Sequence, residues 1–414
     1  MRPSARARHE RRPVPGRLVR GVYLPRAADA GAFSLATYGI PMLVLATTGS
    51  AVWTGLAFAL EWIPRLAVVT FAGTLVDRHG AARVFRLACI LRALVVLAAA
   101  VVLPVQSGGP EVTVMVLAAA SGGLNQFSYV AAETTGADAS RRAGSRAHRV
   151  QSVLLGVDQT ALLAGPALAG LLVQWTGSTG LLTMCAAFSL LAAVLTPRQL
   201  ALRKTSSPAD AVPVPGLRAG WSVLRKRPAL AWLVGGLVVS NLSVGVLQAA
   251  TPVIVVQQLG HSTGSVGLIW SAAAVASLLA VAACRGAISR WGLWPVGAVS
   301  ATVAAGACLA VAQATTYSMY LVLVAVLMAG EGGLTVVLRT LRSHLIPAQV
   351  FGATLALTIL LLLAPFPLAG LLVAVLPPDR LGQALGICAV VQALALTVTF
   401  ARLRTLPGLR PAHP

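Results

Sequence analysis

Apolar stretches of about bilayer thickness follow one another through nearly the whole chain, and nothing else in the sequence constrains the fold as strongly. A membrane crossing takes roughly 20 mostly apolar residues. Stretches of that kind, cut at Gly, Pro, Ser and Arg clusters, fall at 22–46, 52–75, 84–104, 112–133, 150–173, 178–196, 229–253, 264–285, 293–312, 317–338, 352–374 and 382–401. The chain has 57% hydrophobic and 10% charged residues, whereas about a quarter of a soluble domain's residues are charged. The expected fold class is therefore all-α: a polytopic membrane protein with twelve transmembrane helices. Little sequence is left for a soluble catalytic or nucleotide-binding domain.

The formal charge of +21 comes from 32 Lys and Arg against 11 Asp and Glu. On a soluble surface it would point to nucleic acid; its distribution here excludes that partner. Of the 32 basic residues, 29 fall in the tails and alternate connections, including Arg78, Arg83, Arg86 and Arg92 between spans 2 and 3 and seven in the middle linker. The intervening loops carry only Arg380. Because Lys and Arg accumulate on the cytoplasmic side, both termini are expected in the cytoplasm of a cell whose inner or plasma membrane holds the protein. The Pro-interrupted N-terminal tail runs straight into a full-length span and does not read as a removable signal peptide.

The segment LLAGPALAGLLV at 162–173 returns as LLAPFPLAGLLV at 362–373, nine identities in twelve at an offset of 200. These are spans 5 and 11, equivalent crossings of two six-span halves, so the twelve helices are expected in two pseudo-symmetric six-helix bundles. The organisation that follows is a basic tail at 1–21, bundles at 22–197 and 229–405, a cytoplasmic linker at 198–228 and a tail at 406–414. Cys89, Cys185, Cys284, Cys308 and Cys388 lie in apolar runs without metal-ligand spacing and read as small core residues. The six His are scattered, and the only two lysines sit in the linker, away from any phosphate-binding loop. No metal and no cofactor is expected, and the chain does not read as an enzyme.

The run GTLVDRHGAAR, which supplies Gly73, Asp77, Arg78, Gly80 and Arg83 between spans 2 and 3, resembles the G-x-x-x-D-R-x-G-(R/K) signature of the major facilitator superfamily. Glycine at 73 would let helix ends approach closely, and Gly80 would permit a tight turn. The resemblance implies that Asp77 latches the outward-facing state; the static alternative is a loop salt bridge. Ala81 and Ala82 stand where that family usually has basic residues. Gly165, Pro166 and Gly170 in span 5, with Thr48-Gly49-Ser50-Ala51 and Pro64-Arg65-Leu66, are similar to the bacterial drug and siderophore exporter branch. Against that branch, residues 112–129 of span 4 contain no arginine.

Charges at bilayer depth are expensive and need a reason. Arg26 and Asp29 are three apart, Glu61 and Arg65 four apart, spacings that place each pair on one helix face. Asp158 lies about 13 Å of rise into span 5 with no basic residue within a turn, and burial without a counter-charge disfavours a carboxylate's ionised form. Asp158, Asp29 and Glu61 are the candidates for proton coupling; for Asp158 the competing readings are a packing residue or a partner of Arg65. Spans 1, 4, 7 and 10 line the central cavity in the family. By that resemblance Ser34, Tyr38, Asn125, Gln126, Tyr129, Glu133, Asn241, Gln248 and Glu331 are the substrate-facing candidates, with packing as the alternative role.

These features point to a monomeric secondary transporter that alternates access between two bundles, exporting a small amphipathic organic compound in exchange for protons. An uptake carrier or uniporter of the same fold is the nearest alternative. A sensor or lipid-modifying enzyme on a decayed transporter scaffold is the alternative from another class.

Overall fold

A computed structural model describes residues 18–106, 109–143, 147–197, 217–346 and 350–405. Thirteen α-helices follow in chain order: α1 (Leu24–Thr48), α2 (Ala51–His79), α3 (Ala81–Val105), α4 (Glu111–Ala143), α5 (Ala147–Leu195), α6 (Leu217–Lys226), α7 (Pro228–Val253), α8 (Thr263–Trp291), α9 (Leu293–Val311), α10 (Tyr317–Leu345), α11 (Phe351–Leu363), α12 (Pro365–Val375) and α13 (Leu381–Thr405). The continuous α5 breaks at Gly177, whose φ of 68° and ψ of −160° leave the helical region, so it supplies two crossings. In contrast, α11 and α12 make one crossing interrupted at Ala364, where Pro365 removes a backbone donor.

Ten helical segments among the described residues are long and apolar enough to cross a membrane. One of them, Ser152–Leu195, contains the Gly177 break, and α4 is not among them because Gly, Ser, Asn, Thr and charged residues dilute its hydropathy. Counting both corrections gives twelve crossings in two six-helix bundles. An even number leaves both described chain ends on one face, called here the terminal face. The bundle exterior is apolar, with Val101, Val105, Val112, Val194 and Val375 among its most exposed side chains, as lipid contact requires.

The two halves solve the same local problems alike. On the terminal face, α2 passes to α3 through Gly80 (φ 85°) and α8 passes to α9 through Gly292 (φ 88°). On the opposite face, the hydroxyls of Ser50, Ser262 and Thr316 accept hydrogen bonds from the amides of Trp53, Ser265 and Met319, starting α2, α8 and α10.

The halves meet along two seams in the part of the membrane away from the terminal face. In one, α5 lies on α8: a Cβ at Gly267 would sit 2.2 Å from the Pro166 carbonyl oxygen, and one at Gly170 would sit 2.4 Å from that of Thr263. The Thr263 hydroxyl donates to Gly170 O at 3.2 Å, and the Ala167 amide donates to Ser271 Oγ at 3.2 Å. In the other, α12 lies on α2, where Cβ atoms at Gly55 and Gly370 would meet each other's backbone at 2.6–2.7 Å. Aromatic rings continue the closure: Trp62 stacks on Phe366 at 4.3 Å between centroids, and Tyr38 packs against Trp270 at 5.8 Å. Nearer the terminal face, α11 packs mainly on α6 and α7. The protein is closed on the face opposite the terminal face.

Candidate functional site

Within the N-terminal half every described carboxylate at membrane depth is matched to an arginine. The Arg26 guanidinium on α1 is 6% exposed; its Nε and Nη2 donate to the two oxygens of Asp158 on α5, each at 2.7 Å, and Nη2 also donates to Glu133 on α4 at 2.7 Å. Tyr129 lies with its ring 5.2 Å from the same guanidinium. Arg92, fully buried on α3, donates to Asp29 at 2.8 Å, Asn125 at 2.7 Å and Ser189 at 2.8 Å, tying α1, α4 and the last part of α5 to α3. Arg65 pairs with Glu61 one turn away, donates to Thr37 at 2.7 Å and lies over the rings of Trp62 and Phe33.

These contacts revise two expectations. Asp158 is not isolated; its partner comes from α1, 132 residues away, and is Arg26 rather than Arg65. Arg26 does not pair with Asp29 three residues on, because Arg92 takes that carboxylate from a neighbouring helix. Arg92 is thus no connection charge: it lies eleven residues into α3, with the Asp29 carboxylate compensating its burial.

The C-terminal half is different. A cavity of about 480 Å³ opens among α7, α10 and α11, with Asn241, Glu331, Thr335, Arg339 and Arg342 as its polar wall. Glu331 is 8% exposed and accepts hydrogen bonds from the Ser240 hydroxyl and from Gln392 Nε2 at 3.2 Å; Gln392 also donates to Ser240 at 2.7 Å. It makes no ion pair among the described residues. Among the described side chains at membrane depth it is the one carboxylate held by neutral donors alone. Asn241 donates to Leu362 O at 2.8 Å, pinning α11 beside the cavity.

The sequence model of the Major Facilitator Superfamily matches residues 26–366, reaching into both halves and covering the residues that line the cavity. The chain belongs to the major facilitator superfamily. It is accordingly a membrane transport protein by family and not an enzyme. No curated protein matches the sequence. Solved structures of superfamily shape do: a bacterial homologue of the iron transporter ferroportin in an inward-facing state (TM-score 0.71, 17% identity, 93% of this chain and 98% of that one), the nucleoside transporter NupG (0.71, 14%, 92% and 98%) and a bacterial metal transporter (0.67, 16%, 93% and 97%). At these identities the likeness is one of fold.

The superfamily's signature residues lie at the terminal face. Gly80 makes the turn with positive φ; Arg78 and Arg83 are exposed. Gly73 is exposed, and a Cβ there would meet nothing within 4 Å, so the close helix approach expected at this glycine does not occur in this state. Asp77 lies in α2, and its side chain is outside the described part of the structure. Of the substrate-facing candidates, Tyr129 and Glu133 are exposed on α4, while Asn241 and Glu331 line the C-terminal cavity. Asn125 is instead fully buried on Arg92, Ser34 is buried where α1 meets Gly165, and Tyr38 belongs to the closure with Trp270. Gln126 and Gln248 are half-buried.

Sequence reasoning missed Ser240, Gln392 and Arg342. Gln392 was discoverable, being an amide in the middle of an apolar span. Nothing in the spacing of Ser240 or Arg342 marks them.

Proposed function

We propose that this superfamily member is a proton-coupled exporter of a small amphipathic organic compound, working by alternating access, and that Glu331 rather than Asp158, Asp29 or Glu61 carries the proton. The observation that supports this reading is the contrast in pairing. The three other carboxylates each face an arginine at 2.5–2.8 Å, and protonating any of them would break a salt bridge to a buried guanidinium, leaving Arg65 or Arg92 uncompensated and Arg26 with Glu133 alone. Among the described residues Glu331 has only hydroxyl and amide partners, which serve a neutral or an ionised carboxyl, and it borders the cavity. A proton there can come and go without unmaking a salt bridge.

The basic residues on the terminal face support a cytoplasmic placement of both ends in the inner or plasma membrane, and the closed opposite face then corresponds to an inward-facing state of a monomeric carrier. The test is made in proteoliposomes with an internal pH dye and a tracer panel of amphipathic acids, bases and neutral solutes. Solute addition is expected to drive proton movement in the wild type. Glu331→Gln is expected to abolish that movement while solute-for-solute exchange continues. A protein that moves no panel member under any imposed gradient overturns the reading, and proton flux surviving in Glu331→Gln overturns the residue assignment.

A further inference from the structure

The wall of the C-terminal cavity carries more positive charge than a proton site requires. Arg342 is 8% exposed and lines the cavity, yet its Nε and Nη2 meet no hydrogen-bond partner among the described residues. Arg339 lies three residues earlier on the same face of α10, lines the same cavity and is exposed to it. Glu331 is eight residues away, about 12 Å along the helix, and makes no ion pair with either. A buried guanidinium without a counter-charge is costly, and at the edge of a membrane cavity it is a functional feature by default. Its planar fork of donors matches carboxylate, sulfonate and phosphate groups. The rest of the wall is aliphatic, including Leu338, Leu355, Ile359 and Leu362, and the volume is in the range of small-molecule sites.

We propose that this cavity binds an amphipathic organic anion, with its acidic group on Arg339 and Arg342 and its apolar body against the leucine and isoleucine wall. As an assignment of cargo it rests on the transporter reading above; as a binding site it stands apart from it. The same chemistry is offered by a free organic acid and by an anionic lipid headgroup.

The test uses the full chain in phosphatidylcholine nanodiscs with three probes of one shape: 1-naphthalenesulfonate, 1-naphthol and 1-naphthylmethylammonium. The sulfonate is expected to bind saturably and at least tenfold more tightly than the other two. Arg342→Gln and Arg339→Gln are expected to weaken it tenfold or more without changing naphthol binding, whereas Arg290→Gln, at the exposed end of α8, leaves it unchanged. Melting curves and gel filtration establish that the variants are folded. Sulfonate that crosses proteoliposomes and stops crossing in Arg342→Gln identifies a free acid as cargo. Sulfonate displaced by phosphatidylglycerol, and never crossing, identifies a lipid headgroup. Equal binding of sulfonate and ammonium, or wild-type binding in the folded double variant, overturns the anion site even if other solutes are transported. Arginine-dependent binding with no solute crossing leaves the anion site standing and removes the transporter reading.

Discussion

Replacing Gly267 by alanine is expected to drive the protein out of the state described here. The added Cβ would lie 2.2 Å from Pro166 O and 2.9 Å from Ala167 Cα, and both are backbone atoms that cannot turn aside. Restoring ordinary contact near 3.4 Å requires α5 and α8 to part by roughly 1 Å, the difference from the 2.2 Å contact. The hydrogen bonds from Thr263 to Gly170 and from Ala167 to Ser271, both already at 3.2 Å, lie along the same seam and stretch with it. Overpacking costs about 1–3 kcal/mol and each weakened hydrogen bond about 1 kcal/mol, so the closed arrangement loses roughly 3–5 kcal/mol. At ~1.4 kcal/mol per tenfold, its population relative to an arrangement with the seam open falls at least a hundredfold. Gly286→Ala, on the same helix with nothing within 4 Å of its Cβ position, is the control. Spin labels at Thr179→Cys and Gln383→Cys, both exposed near the opposite face in different halves, report the separation by pulsed electron resonance. Cys388, the one native cysteine that is not buried, is changed to serine in that background. A distance distribution in Gly267→Ala identical to those of wild type and Gly286→Ala would refute the reasoning.

Arg92→Met leaves Asp29 buried without its partner and is expected to cost about 3–5 kcal/mol, read as a lower melting temperature in detergent; adding Asp29→Asn recovers part of the loss. Gly80→Val forces a branched residue to φ 85° and ψ 136° and is expected to cost about 1–3 kcal/mol, whereas Gly73→Ala leaves the melting curve of this state unchanged. Trp62→Ala removes the stack on Phe366 and the ring beneath Arg65. An aromatic pair contributes about 0.5–1.5 kcal/mol beyond the area it buries, so the variant is expected to shift the same spin-label distances in the same direction as Gly267→Ala.

The crossings were legible because bilayer thickness sets a length and loop arginines set an alternation, and the two signals are independent. That is why α4 was found although its Gly, Ser, Asn and Glu residues lower its hydropathy. The charge pairs were far less legible. Spacing along one helix can propose only local partners: it gave Glu61 with Arg65, which the structure contains, and Arg26 with Asp29, which it does not. Partners for Arg26 come from 107 and 132 residues away, and a linear reading cannot rank such distant carboxylates. Arg92 was misread as a connection charge because arginine in a membrane helix is unexpected until Asp29, Asn125 and Ser189 are seen around it. The Glu331 cluster depends on Ser240 and Gln392, neutral residues that charge-based reasoning passes over.

The repeated segment at 162–173 and 362–373 places Gly170 in one seam and Gly370 in the other, each touching the main chain of a helix from the opposing half. Contact of that kind has no long, pliant side chains to stretch as a gap widens, and attraction between packed atoms fades by a quarter to a half over an ångström of separation. A barrier built this way has no graded aperture: each strip is either sealed or surrendered. A molecule so constructed resists leaking through half-parted seams, and its loss of closure is a step rather than a slope.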